Sequence, residues 1–221
     1  KMNEFDKKLN EVFAGRVVRK DLSKKIKEGI NVPIYVLEYL LGMYCSTDDE
    51  DSIKEGVKQV KKILAENYVR PDEAEKVKFK ITEKGSYTVI DRVEVTVDVE
   101  KGLCFASLMN LGLTRIPIHA DYVKKFEKLL AGGIWCIVKL GYFDEEENAD
   151  LEQAAKEVKK KDKEKDLGGV LVVDNIKPIQ MPNLDIQEIF NGRKQFTVEE
   201  WKDIILRSIG MEPTQLKPRE K

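Results

Sequence analysis

Arg92-Val-Glu-Val-Thr-Val-Asp-Val99 decides the fold: Val93, Val95, Val97 and Val99 alternate with Arg92, Glu94, Thr96 and Asp98. Successive side chains of an extended chain point to opposite faces, so a period of two predicts a strand with one apolar and one polar face. β-Branched valines suit such a pleated surface. The change of period from near 3.6 comes at Tyr87. Lys101-Gly102 then turns the chain into a run over 103–111, and Gly112 separates that from a run over 113–118. Within 121–130, Tyr122, Phe126, Leu129 and Leu130 recur at helical spacing, and Gly132-Gly133 ends the helix. Further strands are expected over 134–143 and from 170 to about 180. The order strand, strand, strand, helix, strand, strand is that of an OB-fold, a small five-stranded barrel. Another small α+β sheet with the same element order fits the same pattern.

Upstream, the chain reads as short helices. Asp21 suits the N-cap of a lysine-rich helix ended by Gly29. Pro33, at or near the first helical position, opens a second, with Ile34, Leu37, Leu40, Leu41 and Tyr44 along one face. Ser46 and Asp49 have the capping-box offset for a third helix, with Thr47 and Asp48 as competing caps. Its stripe is Ile53, Val57, Val60 and Leu64, and the acidic run 48–51 sits at its positive end. Pro71 opens a fourth that Gly85 stops.

Downstream, residues 144–167 are almost entirely Glu, Lys, Asp and Ala, with Leu151, Ala154, Ala155 and Val158 as the one apolar stripe. That suits a short exposed helix or a solvated loop. After Pro182, Thr197 and Glu200 form a capping box ahead of Trp201, Ile204, Ile205 and Ile209, with Gly210 in the C′ position. The last residues, 211–221, look like a cut made in a linker. The expected class is α+β: a helical domain over 1–84, an OB-like barrel over 85–182 carrying the charged insertion, and a C-terminal helix and linker over 183–221.

Of 221 residues, 42% are hydrophobic and 36% charged, a globular composition. No apolar run approaches the roughly 18 residues of a membrane span, and the N-terminus lacks the apolar core of a signal peptide. Cys45, Cys104 and Cys136 lie far apart among apolar residues, which suits reduced, buried thiols in a cytoplasm. There is no G-x-x-x-x-G-K-[ST] or G-x-G-x-x-G loop for phosphates and no C-x-x-C pair. His119 is the single histidine, which excludes a two-histidine metal site. Carboxylate clusters are the background of so acidic a chain. No catalytic residue, metal site or cofactor is expected within these residues.

The remaining signals concern surfaces. Lys+Arg number 39 against 40 Asp+Glu, so any polyanion contact must come from a local patch. OB-folds bind nucleic acid on strands two and three and on the loops joining strands one to two and four to five. Arg92, Arg115 and Lys139 lie on the strands, and Lys159, Lys160 and Lys161 on the four-to-five excursion; these are the candidate DNA contacts. A lysine run is more often a solvated face, and Phe105, Tyr142 and Phe143 are more often core than stacking platforms.

Several long stretches carry a resemblance: Asn31-Val-Pro-Ile-Tyr-Val-Leu-Glu-Tyr-Leu-Leu-Gly-Met-Tyr-Cys45, Ile63-Leu-Ala-Glu-Asn-Tyr-Val-Arg-Pro-Asp-Glu-Ala-Glu75, Gly132-Gly-Ile-Trp-Cys136, Ile176-Lys-Pro-Ile-Gln-Met-Pro182, and Trp201 with Leu206-Arg-Ser-Ile-Gly-Met-Glu-Pro213. Together they resemble the N-terminal region of the BrxL family, the Lon-like AAA+ proteins of BREX phage-exclusion systems. The resemblance implies a region preceding an ATPase domain, which would hold ATP and Mg outside this chain. It implies self-association into a ring, double-stranded DNA as a partner, and other BREX proteins nearby. ATPase residues, and the Ser-Lys chemistry of true Lon proteases, carry over to no position here. The charged 144–167 excursion departs from the family. The expected function is a non-catalytic DNA-binding and ring-assembly module; the alternative is a substrate- or partner-recognition domain of an ATP-dependent protease.

Overall fold

The computed structural model describes residues 4–13, 22–23, 26, 31–45, 49–161, 169–179, 186–208, 211 and 213–216. The class is α+β. Helices are α1 (Glu4–Val12), α2 (Ile34–Tyr44), α3 (Glu50–Asn67), α4 (Ala74–Lys84), α5 (Ala120–Leu130), α6 (Glu152–Lys161), α7 (Ile186–Arg193) and α8 (Val198–Ser208). Strands are β1 (Ser86–Asp98), β2 (Leu103–Leu108), β3 (Leu113–Pro117), β4 (Ile134–Tyr142) and β5 (Leu171–Pro178). Two compact units result, one of residues 1–60 with 180–221 and one of 61–179.

In the second unit the five strands form one antiparallel sheet in the order β3-β2-β1-β4-β5. The long β1 is the spine: its first part pairs with β4, from Ser86 opposite Gly141 to Val93 opposite Ile134. Its second part pairs with β2, from Val93 opposite Leu108 to Asp98 opposite Leu103. Register shifts between Ala106 and Leu108 and between Lys139 and Leu140 bend the sheet.

The sheet does not close into the expected barrel. Its edge strands meet at a single isolated parallel bridge, Ile118 to Val173. Both edges offer little for a ladder: β3 has five residues and ends on Pro117, and β5 ends on Pro178. Proline has no N–H to donate. Arg115, at φ 56, further breaks the β3 edge.

The concave face holds the main core. Val89, Val93, Ala106, Val138 and Leu140 are buried there, α4 contributes Val77 and Ile81, and α5 contributes Leu130. Pro71–Glu73 forms a 3-10 turn ahead of α4, and Gly85 ends that helix with φ 71 as its C-cap. The expected alternation fails at the end of β1, where Val97 is half-exposed and Val99 lies outside the strand in solvent.

In the first unit, α2 buries Val36, Leu37, Leu40 and Leu41. Its end comes so close to α3 that a Cβ at Gly56 would stand 2.1 Å from the Tyr44 carbonyl oxygen. The cap of α3 is Asp49, whose carboxylate accepts from Ser52 N at 2.8 Å; that bond holds its pKa below the usual aspartate value. The competing caps Ser46, Thr47 and Asp48 lie outside the described residues, as do Asp21, Gly29 and Gly210. The box at α8 forms as expected: Thr197 N donates to Glu200 Oε2 at 2.8 Å and Glu200 N to Thr197 Oγ1 at 3.2 Å. Helix α1 binds α8 through Lys8–Glu200 at 3.0 Å and Arg207–Asp6. Phe13 stacks on Phe196 at 5.8 Å beside Trp201. Helix α7 carries Ile186, Ile189 and Phe190 at helical spacing, and Ile186 and Phe190 are exposed. No described helix is long and apolar enough to cross a membrane.

Candidate nucleic-acid interface

Residues directly opposite in an antiparallel pair share a face, and so do residues two or four apart on one strand. Lys139 lies opposite Thr88, Trp135 opposite Arg92, and Phe105 opposite Thr96. Arg92, Lys139 and Phe105 therefore share the convex face, away from the main core. Arg92 and Lys139 are exposed there. A Cβ at Gly133, where φ is 76, would stand 3.1 Å from Arg92 Nη2 and 2.9 Å from Glu94 Cγ, so both side chains pass close over bare backbone. Trp135 stacks on Tyr68, ring centroids 5.4 Å apart. Near Lys139, the Asp174 carboxyl is pushed up by burial, against the pull of the Lys139 charge.

Arg115 is half-buried on β3. Its guanidinium lies 4.4 Å above the Phe105 ring, and its Nε is buried with no hydrogen-bond partner. Phe105 is not free to stack on a base as it stands. Leu103, Phe105 and Ala154 form a cluster of their own, with Val158 packed on it, so α6 covers this part of the convex face. The apolar stripe of the charged excursion is thus buried, in place of the exposed helix or solvated loop expected: charge on the other faces of α6 hides a stripe that fits β2 and β3. Lys101 Nζ meets Glu157 at 3.1 Å, and His119 Nε2 meets Asp150 Oδ2 at 2.5 Å. His119 Nδ1 accepts from Asp121 N at 3.0 Å, capping α5. Lys159 and Lys160 stand exposed on α6, Lys160 4.0 Å from Glu157. Lys161 ends the helix and its side chain lies outside the described residues.

The structure thus brings Arg92 and Lys139 onto one face, sets Arg115 at the β3 edge of that face, and carries Lys159 and Lys160 on the helix covering it. Sequence reasoning missed Asp91. It stands at an apolar position of β1 between Val89 and Val93, fully buried, and that break in the alternation was the available signal. Its carboxylate accepts from the N–H groups of Arg92, Asn110 and Leu111 at 2.6, 3.0 and 2.8 Å. Burial pushes the carboxyl above its usual value in spite of these donors. Asn110 in turn donates to Val69 O at 3.3 Å, so Asp91 ties the β2–β3 turn to the segment before α4. Burial, reinforced by Asp91, pushes the Cys136 thiol up to about 12. Among the described residues no three of His, Cys, Asp and Glu converge to hold a metal ion.

These features define a five-stranded sheet module with Arg92 and Lys139 exposed on one face, and comparison with known proteins places it. Residues 11–142 match the family described as BREX system Lon protease-like protein BrxL, N-terminal, and residues 171–221 match the ATPase domain of Lon-like protease BrxL-like proteins. A Lon-like protease BrxL of Bacillus cereus (strain H3081.97) is 54% identical over 215 residues, 97% of this chain and 29% of the relative. One of Escherichia coli O9:H4 (strain HS) is 49% identical over 218 residues, 99% of this chain and 29% of the relative. The chain belongs to the BrxL family. It spans 29% of the length of these curated relatives.

Proposed function

We propose that this module grips duplex DNA through the convex face of its sheet and helps assemble a ring, as the non-catalytic front of an ATP-driven BrxL-type protein in phage exclusion. The observation that carries this reading is the shared face of Arg92 and Lys139 across β1 and β4, with Thr88 and Asn175 beside them. Such a strip suits contacts to phosphates, which position a protein without reading sequence. Glu94 and Asp174 border the strip and limit its charge, in keeping with a contact that gains strength from repetition around a ring. ATP and Mg would act in the ATPase domain of the whole protein. The OB plan is part of this proposal, since such sheets are often only partly closed.

The test is duplex affinity of the full-length protein across a salt series. Replacing Arg92 and Lys139 by Ala should weaken binding evenly across sequences and flatten the log–log salt slope by about 2, roughly 0.9 for each phosphate lost. An unchanged slope removes the convex face from the contact. The name Lon-like protease on the relatives favours a second reading, recognition of a polypeptide or of another BREX protein. Capture of companion BREX proteins by a form that shifts no DNA would decide for it.

A further inference from the structure

We propose that α6 is a removable cap over a stacking platform for single-stranded nucleic acid, built by Phe105 and Arg115. The inference rests on the reading that the convex face meets nucleic acid, and adds a second ligand class to it.

The cap is built to come off. Its apolar contacts, Ala154 and Val158 on Leu103 and Phe105, form a cluster separate from the main core. Ala154, Ala155 and a half-buried Val158 seat it, with Leu151 buried in the turn just ahead, and none of the four belongs to the main core, so lifting α6 leaves that core intact. The polar contacts that hold it stand partly in water: the side chains of His119 and Asp150 are 38% and 49% exposed, those of Lys101 and Glu157 49% and 21%. Pairs this exposed hold weakly and are screened by salt.

What lies beneath is unfinished. The Phe105 ring is only 3% exposed, yet it carries on one side the guanidinium of Arg115 rather than an apolar neighbour. Arg115 pays for its place with φ 56, a conformation non-glycine residues rarely hold, and leaves Nε buried without an acceptor. A phosphate or base edge would supply that acceptor. With α6 lifted, the aromatic face is free to take a base, and stacking tolerates any base. Bases of a duplex are already stacked on one another, so the ligand is a single strand.

The experiment uses the full-length protein with labelled oligothymidine and a duplex of equal length, read by fluorescence anisotropy. Ala154→Glu drives a carboxylate into the apolar seat; the double change Lys101→Ala with Asp150→Ala removes both latches without touching it. Each should tighten oligothymidine binding by about tenfold, in line with one or two stacked bases, and leave duplex binding unchanged. Hydrogen exchange should show α6 losing protection while the β1–β4 ladder keeps it. Adding Phe105→Ala to Ala154→Glu should abolish the gain. If wild type binds duplex and neither opening variant gains on the single strand, the cap is overturned and the duplex reading stands. A gain that survives Phe105→Ala overturns the platform. Binding of neither nucleic acid by any form overturns both readings.

Discussion

Helices α5 and α6 are of nearly equal length and both rich in charge, yet α5 sets Leu130 fully into the concave core with Tyr122, Val123 and Phe126 beside it, whereas α6 rests Ala154 and Val158 on the convex face. The difference lies in the size of the side chains on the apolar stripe. Large ones interlock with the core over a wide area; small ones make contact over less, and so contribute less to stability. One face of the sheet therefore carries the main core of this unit, and the other a smaller cluster under α6.

Substitutions on the two faces test that contrast. The largest effect is expected from Leu130→Ala, which empties a fully buried site and should cost about 3 kcal/mol in denaturant unfolding. Asp91→Ala, on the same face, strands the Asn110 and Leu111 N–H groups and should cost about 2 kcal/mol. Asp91→Asn adds a pH signature. Burial holds the Asp91 carboxyl above its ordinary value, so its protonated form suits the fold and that help is lost as pH rises through the folded-state value. The deficit of Asp91→Asn against wild type should therefore be greatest in acid and shrink toward neutrality. Val158→Ala, on the convex face, should cost less than about 1 kcal/mol; a loss as large as that of Leu130→Ala would make α6 as structural as α5. Smallest of all is the expected thiol reactivity. Cys45, Cys104 and Cys136 are buried, and burial raises the Cys104 and Cys136 pKa values. Native protein at pH about 8 should react with a disulfide reagent negligibly, and unfolded protein fully.

Much of the sheet was legible because its signals are local. Alternating valines mark β1, Gly102 and Gly85 mark turns, and Thr197 with Glu200 marks a cap, each within a few residues. What escaped depends on partners distant in the chain. Whether β3 and β5 would close a cylinder turns on two edges far apart in sequence and on the backbone of Arg115. That α6 would bury its alanines turns on Leu103 and Phe105, some fifty residues away by count along the chain. Asp91 was visible as a charge among inward positions, but its role depends on backbone N–H groups that no residue pattern displays. The sequence marks Arg92 and Lys139 as strand cations; only the register shows that they share a face.

The most direct measurement is lysine acetylation read by mass spectrometry on the full-length protein, with and without saturating duplex DNA. If the convex face grips the duplex, DNA slows labelling of Lys139 several-fold, while Lys80, exposed on α4, labels at the same rate in both states. Equal labelling of Lys139 with and without bound DNA would contradict it.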